Sequence, residues 1–593
     1  MGRWSGLNRP ALRAKPRRAG RRRATGASMI ILGIYHSHDA CAALYDDYEL
    51  VAAVAQERAT RIKGDGGRFP SEAVAECLAQ AGIGPEAVDV VVLPRINYPT
   101  SSYFARAHIP FPKIAKSGQL ELIRVMSRNR VARPERALDA SGWLAQYGLR
   151  PRQIAFYNHH LAHALGALFH TDWRDALLYT SDGGGDRMFY SARRLKDGAL
   201  EDLFGGEADS LSMRHRQDKA DSLGKMYYHV TEALGMKPLR HEGKVLGLAA
   251  FGRPTHAAQL RRHYDLRPDG QIRAHASMRT IAREIHALAG QIPRENLAAS
   301  AQQALEDVTL ESLSRVLARA PTSALGLSGG VFANVKLTQR IAERFSLQEI
   351  FVYPAMSDQG EAAGGALQFL LERDGLQTWL EKRRRFGDLC YGRDYAGEAD
   401  KIFLAGARRV AGENVAEAAA EFIAQGKIVG TYLGRGEYGP RALGARSIMA
   451  SPRDRAINDW LNKRLDRTDF MPFAPVVREE RYADVFDLPP ELRYSASYMT
   501  VTCNVKQEWR DKIPAVVHVD GTARPQILRR EDNPTYYDIL HAFERRTGIP
   551  AAINTSFNVH EEPIINRPEE ALKALAQNRV DYLVTTAGLY QKE

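Results

Sequence analysis

The sequence predicts a two-domain α/β protein, and three observations carry that expectation. The chain has 593 residues, too many for one ordinary core and enough for about two to four domains. Short apolar runs repeatedly end in glycine-rich turns, as strands do in α/β sheets that offer backbone amides at their tips. The texture changes around residues 375–390. There the charged run Glu381-Lys382-Arg383-Arg384-Arg385 gives way to loop-like Gly387-Asp388-Leu389-Cys390-Tyr391-Gly392. Domains are therefore expected over 29–380 and 386–593, after an extension of residues 1–28.

The elements follow in order. Met29–Ile34 reads as a strand, His36-Ser37-His38-Asp39 as a polar hairpin tip, and Ala42–Tyr45 and Leu50–Val54 as the next strands. Asn158-His159-His160-Leu161-Ala162-His163-Ala164 opens a helix. Ala176–Tyr179 leads into the glycine turn Ser181-Asp182-Gly183-Gly184-Gly185-Asp186, then Met188–Tyr190. A long helix is expected over about 295–318. Ala324–Leu327 leads into Ser328-Gly329-Gly330-Val331 and a helix from about Phe332. A helix over Val415–Gln425 feeds a strand over Ile428–Leu433, and strands and helices alternate thereafter. No tandem repeat is visible.

With 44% apolar and 26% charged residues, the composition is that of a soluble globular chain. No apolar run reaches the roughly 18 residues that a membrane span needs, so no membrane partner is expected. The net charge of +12 misleads. Residues 1–28 hold nine arginines and lysines and no acid, which leaves the body mildly basic. Nucleic acid is accordingly not expected as a partner. The segment lacks apolar periodicity and reads as disordered. It has no apolar stretch after its arginines to make a secretory signal, and translation is expected to start at Met29. Cys41, Cys77, Cys390 and Cys503 show no paired spacing, which points to a reducing, cytoplasmic setting.

His159 and His163, four apart on a helix, share one face, and two imidazoles aimed at one point can bind a divalent transition metal. Such a pair alone is more often structural than ligating, and His160 reads as a core histidine. The acidic glycine segments at 181–186 and at Asp358-Gln359-Gly360-Glu361-Ala362-Ala363-Gly364-Gly365 strengthen the ligating alternative. His38 beside Asp39 on a turn suits an oriented general base. Gln56-Glu57-Arg58 offers charge for an anion. Gly224-Lys225 and Glu242-Gly243-Lys244 set lysines beside glycines without matching a P-loop. The densest segment is Gly434–Ser447, with three arginines among four glycines; arginine forks grip carboxylate or phosphate. It is followed by Asp466-Arg467-Thr468-Asp469-Phe470-Met471-Pro472-Phe473-Ala474-Pro475, then His518–Arg524 and Asn554-Thr555-Ser556-Phe557-Asn558. Four such segments suit a small phosphorylated anion beside a nucleotide.

With these strings the chain resembles the O-carbamoyltransferases of nodulation-factor and antibiotic biosynthesis, from Met29 to about Tyr590. The strings are His38-Asp39, Glu57-Arg58, His159-x-x-x-His163, Asp182-Gly183, Glu242-Gly243-Lys244, Gly329-Gly330-Val331-x-x-Asn334, Asp358-x-Gly360, Gly439-Pro440-Arg441-Ala442-Leu443-Gly444-x-Arg446-Ser447, Pro472-Phe473-Ala474-Pro475, Asp520-Gly521-Thr522-x-Arg524 and Asn554–Asn558. The resemblance implies an actin/hexokinase-like N-terminal domain and a YrdC-like C-terminal domain. It implies two steps: carbamoyl phosphate and ATP (with Mg2+) give carbamoyl-AMP in the second domain, and the first transfers the carbamoyl group to a hydroxyl of a sugar or other small molecule. The roles it implies are a metal on His159, His163, Asp182 and Asp358, and His38 with Asp39 as catalytic base. Gly183, Gly184, Lys244, Gly329, Gly330 and Asn334 would hold the nucleotide in the first domain. Arg441, Arg446, Ser447, Arg467, Arg524, Asn554, Thr555, Ser556 and Asn558 would hold carbamoyl phosphate and ATP in the second. Mixed histidine and carboxylate donors leave iron, zinc and manganese open; the family implies iron. The chain departs from many relatives around Pro472. Leu465 and Met471 stand where those have Lys and Arg, and Thr468 where they have Glu, with Lys463 or Arg464 as candidate replacements. Two other readings stand beside this one: a sugar kinase or ATPase of the actin/hexokinase type, and a nucleic-acid-binding partner of a tRNA-modifying complex. The acceptor and the oligomeric state are not written in the sequence.

Overall fold

The computed structural model describes residues 28–99, 102, 135, 138–211, 217–466 and 472–593. Nearly all of the basic extension, together with Arg467, Thr468 and Met471, lies outside these residues.

β1 (Ile30–Tyr35), β2 (Cys41–Asp46) and β3 (Glu49–Ala55) form an antiparallel meander, as the alternating apolar runs predict. Helices α1 (Gln56–Thr60) and α2 (Ser71–Ala81) follow. β4 (Val90–Pro94) and, after α3 (Ala140–Ala145), β5 (Gln153–Tyr157) extend the sheet in parallel, giving the order β3-β2-β1-β4-β5. Helix α4 (His159–Phe169) leads out.

The same topology then recurs. β6 (Ala176–Gly185), β7 (Met188–Lys196) and β8 (Ala199–Phe204) are an antiparallel meander. β11 (Ala324–Ser328) and β12 (Glu349–Val352) add in parallel to β6, giving β8-β7-β6-β11-β12. No sequence repeat announces this duplication, because strand order depends on hydrophobic pattern and turn placement, which unrelated residues satisfy equally well. Between β8 and β11 lies an insertion. It comprises α5 (Glu207–Leu211), α6 (Leu223–Ala233), α7 (Glu242–Ala249), α8 (Ala257–Arg261), a hairpin of β9 (Tyr264–Leu266) and β10 (Ile272–Ala274), α9 (Met278–Ala289) and α10 (Arg294–Arg319). Helix α11 (Val335–Arg344) joins β11 to β12, and α12 (Glu361–Asp374) follows β12 as α4 follows β5.

α4 and α12 pack against each other between the two sheets. Small residues set how close they come: a Cβ at Gly364 would collide with the Ala162 carbonyl, and one at Gly33 of β1 with the Ala362 carbonyl.

The second half is built on one mixed eight-stranded sheet. It contains β13 (Arg408–Ala411), β14 (Val429–Tyr432), β15 (Ser447–Ala450), β16 (Ala474–Arg478), β20 (Gln526–Leu528), β21 (Ala551–Ser556), β22 (Tyr582–Thr585) and β23 (Leu589–Gln591), ordered β13-β23-β22-β14-β15-β21-β16-β20. β17 (Phe486–Asp487), β18 (Cys503–Val505) and β19 (Thr522–Ala523) make a small separate sheet. The halves touch directly: Arg61 donates to the carbonyls of Pro563 and Ile564, and the Ala53 amide donates to the Tyr391 carbonyl. No described helix is long and apolar enough to cross a membrane. All four cysteines are free.

Candidate functional site

Asn158 fixes where α4 begins: its side chain accepts from the Leu161 amide at 3.0 Å, an N-cap. The first-turn amide of His159 is satisfied by Asp186 at 2.8 Å. With the start fixed, His159 and His163 fall on one face as their spacing predicts, opposite the end of β6 and the turn before α12. His159, His163, Asp182 and Asp358 are all buried, and one donor atom from each lies within 4.8 Å of the others. The converging atoms are the two Nε2 atoms, Asp182 Oδ2 (2.9 Å from His163 and 3.7 Å from His159) and Asp358 Oδ1 (3.6 and 3.7 Å). His160 points elsewhere, its Nδ1 2.8 Å from the Thr180 hydroxyl, and burial keeps it neutral.

Glu361 is the residue the sequence reading missed. It is fully buried in the first turn of α12, with His159 Nδ1 at 3.2 Å and His163 Nδ1 at 3.3 Å. One carboxylate thus orients both rings and turns both Nε2 atoms inward, the arrangement that metal-binding histidines use. The electrostatics agree. Burial alone would lower both imidazoles, but Glu361, Asp358 and Asp182 outweigh it. His159 is raised well above the usual histidine value and His163 to about 9. Burial would raise Asp182, and the two imidazoles overcome it and hold the carboxyl well below its usual range. His159 Nε2 and Asp358 Oδ1 are buried without a hydrogen-bond partner. Two nitrogens and two carboxylate oxygens, with two of the four unsatisfied, fit a divalent transition metal.

Asp358 has a second face. Its Oδ2 accepts from the Tyr35 hydroxyl and lies 3.2 Å from His38 Nε2. Asp358 and then Asp39 raise His38 to about 9 against its partial burial. Asp39 Oδ2 is 3.7 Å from His38 Nδ1, and Asp39 takes a left-handed conformation at the hairpin tip (φ 54°).

The glycine segment after Asp182 differs from the turn expected of it. It continues β6 with a bulge to Gly185, and its glycines make room rather than a phosphate cradle. A Cβ at Gly185 would collide with the His159 ring, and one at Gly184 (φ 126°) would collide with Phe189. Only Gly183 has open space, with Lys225 Nζ 3.8 Å from where its Cβ would lie. Gly185→Ala is therefore expected to displace His159 and abolish metal binding at this cluster, read by equilibrium dialysis as a lost equivalent, while leaving the secondary-structure content unchanged. Gly329 and Gly330 do meet this site: Gly329 (φ 99°) lies against the Ser181 carbonyl, and the Gly330 amide is 3.4 Å from Asp182 Oδ2. Asn334, expected at the nucleotide, instead caps α11 through the Leu337 amide at 3.0 Å and pairs with Gln302.

In the second half most of the dense arginine segment is scaffold. Glu437, also missed, accepts from the amides of Leu443, Ala445 and Arg446 at 2.8, 2.8 and 3.1 Å and folds the loop around its carboxylate. Arg446 turns to the backbone of its own loop and does not line the cavity described next. It is fully buried, donates to the carbonyls of Leu433, Gly434 and Ala445, and stacks on Tyr432 at 3.6 Å. Ser447 accepts from the Gly444 amide at 2.9 Å, and Asn554 donates to Ala442 and Gln526. Arg58, one of the charges that offered a place for an anion, donates to the Gly439 carbonyl at 2.9 Å and braces the loop from the other half. Ser556 and Asn558 bond to each other at the end of β21, and Asn558 donates to the Glu562 carbonyl. Together with Thr555 they do not line the cavity described next. Leu465 is core, and Arg464 is committed to Asp581 at 2.8 Å, so it does not replace a missing cation.

What this scaffold presents is Arg441. Arg441 and Arg524 line a cavity of about 530 Å³ between the halves, walled by α7, α10 and α11 on one side and by Pro472, Phe473 and Thr522 on the other. Among the described residues neither guanidinium has an acidic partner, and the Nε of each is buried without a hydrogen bond. Burial pushes Arg441 down to about 10; burial and then the charge of Arg441 push Arg524 well below its usual value. Two half-buried like charges facing one cavity, with no acidic partner among the described residues, suit an anion. The short turn Gly330–Ala333 links this cavity, which Ala333 lines, to the Asp182 site.

Comparison with known proteins gives the following. The family model described as Carbamoyltransferase N-terminus matches residues 30–367, and that described as Carbamoyltransferase C-terminus matches residues 420–592. Nodulation protein NolNO of Sinorhizobium fredii is 32% identical over 94% of this chain and 79% of its own length. Nodulation protein NolO of Bradyrhizobium diazoefficiens is 32% identical over 73% of this chain and 79% of its own length. Among solved structures, full-length HypF in its phosphate- and nucleotide-bound form is 13% identical over 59% of this chain and 56% of its own, with a TM-score of 0.31. At that score the likeness adds nothing to the fold described above.

Proposed function

The chain belongs to the carbamoyltransferase family and is an enzyme of that class; from this premise we propose that it is an ATP-dependent O-carbamoyltransferase working in two stages. Carbamoyl phosphate, ATP and one water give carbamoyl-AMP, phosphate and pyrophosphate. Water replaces the phosphate on the carbamoyl carbon, a carbamate oxygen attacks the α-phosphorus, and the α–β bond breaks. An acceptor hydroxyl then attacks the carbamoyl carbon and AMP leaves. The first stage is assigned to residues 386–593, a YrdC-like unit, and the second to residues 29–380, an actin/hexokinase-like unit. The two sheets of identical strand order and sense support the latter assignment.

The Arg441–Arg524 pair, with no acidic partner among the described residues, carries the reading. A small dianion beside them satisfies both guanidiniums, and the cavity leaves room for a nucleotide between the halves. His159, His163, Asp182 and Asp358 would hold a divalent metal, with iron as the family's choice and zinc or manganese compatible with the donors. When bound it supplies positive charge that polarises the acyl group and offsets the carboxylates that otherwise keep His38 protonated. His38 then donates Nε2–H to Asp358 and takes the acceptor's proton on Nδ1, with Asp39 stabilising the imidazolium. Gly330 holds Asp182 in place through its amide, and Gly329 lets that turn approach. The acceptor is proposed to be a sugar or other small-molecule hydroxyl, and the compartment the cytoplasm.

The test is pyrophosphate release. It is expected from ATP only when carbamoyl phosphate is present. Formation of ADP without any need for carbamoyl phosphate would instead favour a kinase.

A further inference from the structure

We propose that His229, Glu232 and His286 form a second transition-metal site on the surface, separate from the buried one, which staples α6 to α9. His229 and Glu232 are three apart on α6 and therefore neighbours on one face. His286 comes from the last turn of α9. The two helices pack through Val230, Ile281 and Ile285, all fully buried, so the spacing between the ligand-bearing faces is fixed by the core and not by the side chains themselves. Glu232 Oε2 lies 3.1 Å from His229 Nδ1 and 3.4 Å from His286 Nε2, and the three donor atoms fall within 4.8 Å of one another. Ligand atoms around a tetrahedral zinc at its usual bond lengths sit about 3.3 Å apart. The donors are therefore near coordination spacing before any ion arrives. A His2Glu set leaves a fourth position open to water, because all three residues stand at the surface. Two imidazoles and one carboxylate select Zn2+ over Mg2+, which prefers an all-oxygen shell.

The staple acts on a helix that reaches the buried site. At the other end of α6, Ser222 caps the helix through the Lys225 amide at 3.1 Å and donates to the Asp182 carbonyl at 3.1 Å. Gly224 lies against that same carbonyl. A metal that pins α6 to α9 thus steadies the helix whose first turn braces Asp182.

The experiment titrates Zn2+ into the full-length, chelator-stripped protein by isothermal calorimetry, with Mg2+ in excess. The wild type is expected to take one equivalent more than His286→Ala, and Glu232→Gln is expected to bind that equivalent at least about tenfold more weakly. His275→Ala, which removes an exposed histidine paired with Asp265, is expected to leave the stoichiometry unchanged. His286→Gln, a milder surface change, serves should the alanine variant fold poorly. Equal stoichiometry in the wild type and the His286 variants, or an equivalent lost with His275, would overturn the proposal. Because the comparison is a difference between variants, the result is independent of whether the buried cluster also takes zinc.

Discussion

Replacing Arg441 by alanine is expected to lower carbamoyl-phosphate-dependent pyrophosphate release roughly 30-fold or more while leaving the free protein as stable as before, or more so. The two halves of this expectation come from one observation: Arg441 is a desolvated cation with no acidic partner among the described residues and a second cation, Arg524, beside it. Removing one partner of a buried, hydrogen-bonded charge pair costs about 2–5 kcal/mol, which corresponds to a loss of roughly 30- to 4,000-fold at about 1.4 kcal/mol per decade. That cost applies only when the donor is bound. Without donor, the substitution relieves desolvation and repulsion that no described acidic residue offsets, so the melting temperature should hold or rise slightly. Differential scanning fluorimetry with and without carbamoyl phosphate checks this directly. The wild type should gain stability from the donor, and Arg441→Ala should not. Arg446→Ala separates presentation from recognition. It removes a guanidinium bound to three carbonyls, so it should destabilise the protein whether or not donor is present. An Arg441→Ala protein that melts several degrees lower without ligand would show that Arg441 supports the fold and does not wait for an anion.

That contrast also marks how far the sequence could be read. The residue types of the arginine segment suggested anion binding, and Gly439-Pro440-Arg441 through Ser447 does form one structural unit. Composition could not say which arginine faces the cavity, because a guanidinium that caps carbonyls and one that awaits a ligand are the same residue. The difference lies in the Glu437 carboxylate and the Tyr432 ring beneath Arg446. The histidine pair was easier, since helical spacing converts sequence distance directly into a shared face. Asn158 and Gly185 then supply the helix start and the clearance that the spacing presupposes. Glu361 was hidden for the opposite reason. It comes from a helix some two hundred residues away, and only the close approach of Gly364 to Ala162 brings its carboxylate under both rings. The long helix and the strands leading into the glycine segments were legible, whereas the duplication of strand order was not. Topology is carried by which strands pair, and pairing leaves no periodic trace in the chain.

His163→Ala should abolish metal binding at the buried cluster and acceptor carbamoylation while pyrophosphate release continues near its wild-type rate, because the histidine cluster lies in the first half of the chain whereas Arg441 and Arg524 come from the second. Glu361→Gln should give a graded version, weakening metal binding about 10- to 100-fold: the amide keeps the shape but loses the charge that holds both Nδ1–H groups and so turns both Nε2 atoms inward. Acidity supplies an independent readout of the same cluster. In the metal-free protein His163 is raised from about 6.5 to about 9. Its proton is therefore held more tightly folded than unfolded. The stabilisation it contributes is complete below about pH 6.5 and is lost as the pH rises through 9. A metal at the same nitrogens has the opposite dependence, since it must displace those protons and binds more tightly as the pH rises towards 9. Chelator-treated wild type should accordingly lose melting temperature between pH 6.5 and 9, metal-loaded wild type should lose less, and the difference between the two treatments should be smaller in His163→Ala. Equal loss of both half-reactions in His163→Ala would instead mean that adenylate formation also depends on the histidine cluster, and the division of labour between the halves would have to be abandoned.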